Sequence, residues 1–274
     1  MIRLALVPIG IAALAAAPSA QGQTPLLPHA GTGFDYQIGG DYPLPSGVRV
    51  VSRDWFSGKS PRTGYGICYV NAFQTQADEP GVDRPDERSN WPANLVLTRL
   101  GDDPNWGGEY LVDISTSAKR AAAARHLKPM ITRCRRKGFR AVEFDNLDSW
   151  TRFDGTPLGK LVPFGRAEAI DFARRVTVLA HQAGLAAAQK NTVELRRRVS
   201  RKVIGFDFAI SESCGRFDEC ADYRAAFGNL VFDIEYDAAG MAKACRSIGA
   251  RASVVRRDRN VSRPDSASYR YGRC

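Results

Sequence analysis

Several kinds of chemistry are absent from this sequence. Its 274 residues hold only three His, at 29, 126 and 181, far from one another and from the six Cys, and there is no C-x-x-C. That spacing suits none of the usual zinc sites, so no metal is expected. No G-x-S-x-G occurs, which removes the nucleophile elbow of a serine hydrolase. Ser57-Gly58-Lys59-Ser60 contains G-K-S, but Arg53 stands where a phosphate-binding loop needs its first glycine. No dinucleotide fingerprint follows a strand pattern, and no cofactor is expected. Long apolar runs are missing too, except over residues 4–17. That run is shorter than the ~20 residues of a membrane span, is broken by Pro8 and Gly10, follows Arg3 and ends in Ser19-Ala20. It is expected to be a secretory signal peptide over residues 1–20, an uncleaved anchor being the other reading.

What is present is an ordinary globular composition, 44% hydrophobic and 25% charged, with a formal charge of +10. Only eight of the 39 basic residues are Lys, so the charge does not titrate away. Such an excess suits nucleic acid, an anionic surface or an acidic substrate. An even set of six Cys in an exported chain implies disulfides, with 15 possible pairings. Cys214 and Cys220 are near neighbours, and Cys274 at the C-terminus is placed to pin the tail.

After a linker over residues 21–33, short apolar or alternating runs take turns with longer segments of helical period. Strands are expected at 34–38, 48–54, 65–71, 110–114, 141–145, 185–191, 206–211, 230–236 and 252–256. Helices are expected at 118–137, 164–183, 194–202, 221–227 and 238–248, the first, second and last stopping at Gly138, Gly184 and Gly249. Alternation over ~250 residues points to an α/β chain, a single (β/α)8 TIM-like barrel over 34–274, with an open doubly wound sheet as the alternative. Nine strands is one more than such a barrel uses. Residues 74–108, rich in Asp, Pro and Asn with Trp91 and Trp106, read as a long rim loop over the mouth.

Carboxylates crowd the strand ends. Asp35, Asp54, Asp113, Glu143, Asp145, Glu212, Asp233 and Glu235 all fall in or just after strand patterns. Acids are disfavoured in strands and costly when buried alone, so an acidic pocket at the C-terminal mouth is expected. In Val142-Glu143-Phe144-Asp145-Asn146 the period of two sends Val142 and Phe144 to the helices and both acids inward. Glu235 is expected to repeat that arrangement. Glu212 shares parity with bulky neighbours and is expected past the strand or beyond a bulge. Lys190 and Asn191 are the basic and amide groups at the mouth, either paired with an acid or binding ligand. Two converging carboxyls suit glycoside hydrolysis, one as proton donor and one as nucleophile or base.

The ordered motifs Gly138 to Asn146, Gln189-Lys190-Asn191, Phe206 to Cys214 and Ile234-Glu235-Tyr236 resemble those of glycoside hydrolase family 114, the endo-α-1,4-polygalactosaminidase-like proteins. Phe34 to Gly40 and Ile67 to Phe73 resemble one bacterial branch of it, so the likeness covers roughly residues 34 to 260. The resemblance implies a secreted barrel that cleaves inside an α-1,4-linked galactosamine-containing polysaccharide. Asp145 is similar to the family's catalytic aspartate and Glu212 to its catalytic glutamate, as nucleophile and acid/base of a retaining reaction. Asp35, Tyr69, Asn71, Glu143, Asn146, Lys190, Asn191, Glu235 and Tyr236 are then expected to bind substrate. The resemblance also implies disulfides Cys214–Cys220 and Cys245–Cys274, which leaves Cys68 with Cys134. The family commonly has Pro where Phe144 stands, and other polar residues beside Glu212 than Ser211 and Ser213, which bears on substrate preference. A non-catalytic polysaccharide-binding barrel is the alternative.

A nucleic-acid partner is not expected. The basic runs at 133–137, 174–175 and 196–198 fall on helices and not on a face interleaved with aromatics. The chain is expected to be a monomer whose only partner is its polysaccharide, with no membrane span once the signal is removed.

Overall fold

The computed structural model describes residues 24–76 and 90–274; the expected signal peptide and the stretch 77–89 of the rim loop lie outside them. Eight parallel strands run in chain order around one sheet: β1 (Gly33–Gln37), β2 (Val48–Asp54), β3 (Tyr65–Asn71), β4 (Ala141–Asp145), β5 (Ala186–Lys190), β6 (Phe208–Glu212), β7 (Val231–Glu235) and β8 (Ser253–Arg257). A doubly wound sheet reverses strand order at a switch point; sequential order without reversal is that of a barrel. A ninth strand, β9 (Tyr271–Arg273), adds antiparallel to β8.

Strand alternation builds two cores. Tyr36, Ile67, Phe208, Ile210, Phe232, Ile234 and Val255 fill the barrel. Val70, Val142, Phe144, Ala187, Ala209 and Val231 face outward and pack with Leu127, Ile131, Phe172 and Val176 of the helices. The helices are α1 (Ser117–Arg136), α2 (Arg166–Gln182), α3 (Cys220–Phe227) and α4 (Ala238–Ser247). Thr116 caps α1 by accepting from Lys119 N at 3.2 Å, and Asp237 caps α4 by accepting from Gly240 N at 2.8 Å. Gly138 and Gly184 follow α1 and α2 with φ of 87° and 72°, a region that only a residue without Cβ enters freely.

Three expectations are corrected. Residues 110–114 are not a barrel strand: they form only isolated bridges, Gln74 with Leu111 and Val96 with Val112, which tie down the rim excursion. The expected helix at 194–202 is divided into a short turn, Val193–Leu195, and a wide helical segment, Arg198–Ile204, because Thr192 and Arg196 take positive φ. The ninth strand comes from the tail. Disulfide Cys245–Cys274 fastens that tail, beside Cys68–Cys134 and Cys214–Cys220.

The barrel is not hydrogen-bonded shut. β1 and β8 lie side by side without a ladder, and Arg257 fills the seam. Its guanidinium donates to Asp35 Oδ1 at 2.9 Å, to the Tyr36 carbonyl, and to Ser262 O and Arg270 O at 2.7 and 3.0 Å.

Candidate active site

The C-terminal ends of β3 to β7 surround a cavity of about 600 Å3, roofed by Asn105, Trp106 and Glu109 of the rim excursion. A second lobe, lined by Val193, Glu194, Arg216, Phe217 and Tyr223, shares Trp106, Asp148, Asn191, Glu212, Tyr236 and Arg259 with the first. Together they form one elongated cleft.

Strand parity delivers the polar groups to it. β4 alternates as expected, with Glu143 and Asp145 inward, and register places Tyr69 beside Glu143 and Asn71 beside Asp145. β5 ends in Lys190 and β6 in Glu212. The residues that follow β4, β5 and β6, namely Asn146, Asn191 and Ser213, have φ of 61°, 51° and 61°. Asn tolerates this left-handed region better than most side chains, and both Asn are held by the site. Asn191 Nδ2 donates to Glu212 Oε2 at 2.9 Å while its Oδ1 accepts from Glu212 N at 2.8 Å. Asn146 Nδ2 donates to Asn71 Oδ1 at 2.9 Å.

Lys190 is the centre. Its Nζ lies 3.1 Å from Asp145 Oδ1, 3.0 Å from Glu212 Oε2 and 3.8 Å from Glu143 Oε1. Asp145 also accepts from Tyr69 OH at 2.9 Å and from Asn146 N at 2.8 Å. Glu212 accepts from Tyr236 OH. Glu143, deeper, accepts from Tyr36 OH at 2.8 Å and Ser52 Oγ at 2.5 Å.

Burial and charge divide these acids. Burial alone would raise Glu212, but the Lys190 charge and hydrogen bonds from Tyr236 and Asn191 outweigh it and hold the carboxyl down at about 2. Glu143 is pushed up to about 7, first by burial and then by the Asp145 charge, with Lys190 opposing. Burial disfavours the charged form of Lys190, yet Asp145, Glu212 and Glu143 overcome it and raise its pKa. The lysine therefore stays charged at any ordinary pH.

Of the residues expected at the site, Tyr69, Asn71, Glu143, Asp145, Asn146, Lys190, Asn191, Glu212 and Tyr236 converge in this network. Glu212 is the last residue of β6, neither past the strand nor beyond a bulge. Its parity with Phe208 and Ile210 is the inward one, because a small barrel packs its interior with bulky side chains. Asp35 and Glu235 do not join. Asp35 faces the seam, bound by Arg257, Gln37 and Tyr42. Glu235 points out of the barrel, opposite to Ile234 and Tyr236, and accepts from Gly215 N at 2.6 Å. Asp233 beside it accepts from Ser211 Oγ at 2.7 Å. Burial, then the neighbouring Glu235 charge, hold the Asp233 carboxyl well above its usual range behind the Cys214–Cys220 loop. A Cβ on Gly240 would collide with Glu235 Oε2, so any larger residue there would displace the Glu235 carboxyl.

The sequence reading missed Tyr36, Arg152 and Glu109. Arg152 joins Asn146 Oδ1 at 2.8 Å to Asp103 at 3.1 Å, and Glu109 accepts from Asn71 Nδ2 at 3.0 Å. Glu109 stands directly after Gly107-Gly108 at the end of the long segment, and its position there was the one available signal.

A parallel barrel with carboxyls paired across a cation in a cleft at the C-terminal mouth is built as a polysaccharide-acting hydrolase is built. The chain belongs to glycoside-hydrolase family GH114, whose sequence model matches residues 13–273, and it is a glycoside hydrolase. No curated protein matches the sequence. Among solved structures, Ega3 of Aspergillus fumigatus in complex with galactosamine is similar over 93% of this chain and 100% of its own, at 19% identity and a TM-score of 0.73. The glycoside hydrolase domain of a PelA variant from Pseudomonas aeruginosa is similar over 85% and 96%, at 14% identity and a TM-score of 0.55. At those identities the likeness is one of fold.

Proposed function

We propose that this hydrolase is exported and cuts within an α-1,4-linked polysaccharide containing galactosamine or N-acetylgalactosamine, with retention, through Asp145 and Glu212. The observation that carries the reading is Lys190, which contacts both carboxyls at 3.1 and 3.0 Å. Those two oxygens are therefore no more than about 6 Å apart, compatible with the ~5 to 5.5 Å separation of a retaining pair. The elongated cleft suits internal cleavage of a chain, and galactosamine is the ligand of Ega3. Three disulfides accord with export.

In this reading Asp145 attacks the anomeric carbon while Glu212 gives its proton to the leaving oxygen, forming a glycosyl ester. Glu212 then takes a proton from water, which displaces Asp145 with a second inversion. Tyr69 and Asn146 N hold Asp145 by its two oxygens. One observation favours a second reading with the roles exchanged: a carboxyl held at about 2 is ionised in the free cavity, and it becomes an acid only if substrate displaces Lys190 or Tyr236 from it.

Reducing-end release from partially deacetylated galactosaminogalactan tests the pair. Asp145→Asn and Glu212→Gln are each expected to lower the rate by about 10³-fold or more, and wild-type release no higher than theirs on this and related polymers would sink the reading. An aryl glycoside with a good leaving group assigns the roles, because only the variant lacking the acid retains the first chemical step.

A further inference from the structure

The acids and cations of the main lobe do not balance. Asp54, Glu109, Asp145, Asp148 and Glu212 line it, against Arg152, Lys190 and Arg259. Lys190 is committed to Asp145, Glu212 and Glu143. Arg152 is committed to Asp103 at 3.1 Å, Asp148 at 3.4 Å and the Asn146 amide. Asp54 is held by Gln76 Nε2 and Phe56 N, each at 2.8 Å; among the described residues Arg259 forms no ion pair, and neither does Glu109. Asn71 Nδ2 donates to its Oε2 at 3.0 Å, and its Oε1 has no hydrogen-bond partner among them. The backbone holds the residue in place: Glu109 N donates to Trp106 O, and its carbonyl accepts from Asp103 N at 2.7 Å.

We propose that Glu109 is a specificity-determining residue, the carboxyl that receives the ammonium of an amino sugar bound beside Asp145. The proposal rests on the cavity being the saccharide site and adds what selects the sugar's nitrogen. Asn71 couples the two positions, since it holds Glu109 through Nδ2 and the Asn146 amide through Oδ1, one residue from Asp145. The groups facing Glu109 are Asp145 at the end of β4, Asn71 and Tyr69 of β3, Asp103 of its own excursion, and Arg152. Burial, then the Asp145 charge, push its carboxyl up to about 8, with Asn71 opposing. At neutral pH the free cavity therefore holds this acid neutral. An ammonium within hydrogen-bond reach favours the carboxylate, so a cationic sugar binds with release of a proton. An N-acetylated sugar brings no charge and releases none. Selectivity for the free amine then rises with pH toward 8, until the sugar's own ammonium deprotonates.

The test is calorimetric titration of galactosamine and of N-acetylgalactosamine into the whole protein at about pH 6.5, in two buffers of different ionisation enthalpy. Wild type is expected to release close to one proton with galactosamine and none with N-acetylgalactosamine. Glu109→Gln is expected to abolish the release and weaken galactosamine about tenfold, while N-acetylgalactosamine binding, unchanged, reports an intact cavity. Galactosamine binding without proton release in wild type, an equal loss for both sugars in the variant, or no galactosamine binding at all would each overturn the proposal. Polymer cleavage, assayed on the same preparation, bears on the hydrolase reading alone.

Discussion

Lys190 at the cavity and Arg257 at the seam are each buried to 1% exposure or less, yet their surroundings differ in what is left over. Arg257 meets one carboxylate and three carbonyls, and Asp35 in turn accepts from Tyr36 N, Gln37 Nε2 and Tyr42 OH, each at 2.8 Å. Four of the five guanidinium N–H groups and both oxygens of Asp35 are used, as a buried ion pair requires if it is to persist. Lys190 instead faces three carboxyls with one charge, and two of these, Asp145 and Glu212, keep 14% and 28% of their side-chain surface open to the cleft. A saturated pair closes a fold; around the oversubscribed cation, Asp145 Oδ2 and Glu212 Oε1 each accept one hydrogen bond and keep a lone pair with which to meet a substrate.

The largest expected effect lies at the seam. Arg257→Met removes the cation and strands Asp35, at a cost of about 3–5 kcal/mol. In a chain of this size that lowers Tm by roughly 10 °C, read by differential scanning calorimetry, with the activity of the folded fraction retained. Loss of activity without loss of stability would erase the distinction between the two sites. Lys190→Met has the opposite signature. Glu212 loses the charge that offsets its burial, so the limb of the pH–rate profile that it governs, the alkaline limb where Glu212 is the acid, moves up by about one to two pH units, while Tm falls less than for Arg257→Met, because Asp145 and Glu212 have the cleft's water.

Glu143 gives the smallest and most specific effect. Its folded pKa, about 7, exceeds the unfolded value, so the native state binds more protons over the interval between them. Stability must then fall as pH rises from about 4.5 through 7. Glu143→Gln is expected to flatten that part of a Tm-against-pH curve, and an unchanged slope would mean that Glu143 is ionised throughout.

Much of the barrel was readable because period and punctuation are local. β2, β3 and β4 fall on the expected residues, and α1 and α2 stop beside the glycines that mark them. Residues 110–114 misled because alternation records two faces of unlike polarity and says nothing of the neighbouring strand; here the neighbours are isolated rim segments. β9, with only three residues, carries no period at all. At the site, the inward positions of β4 followed from alternation, whereas β6 and β7 were read the wrong way round. Residue type alone favours an acid facing the pocket and a bulky residue facing the helices, but Phe208, Ile210, Phe232 and Ile234 fill the barrel and so bring Glu212 and Tyr236 inward, leaving Asp233 and Glu235 outside.

The sequence by itself determined the family, the order of strands and helices, and which side chains crowd the strand ends, because these depend on residue type and on spacing along the chain. Tertiary structure decided which of those acids share one lysine, which is tied to Arg257 at the seam and that Glu109, in the cavity roof, forms no ion pair among the described residues. Charge balance belongs to groups brought together from β3, β4, β5, β6 and the rim excursion, and its energy depends on distances and burial that no one segment holds.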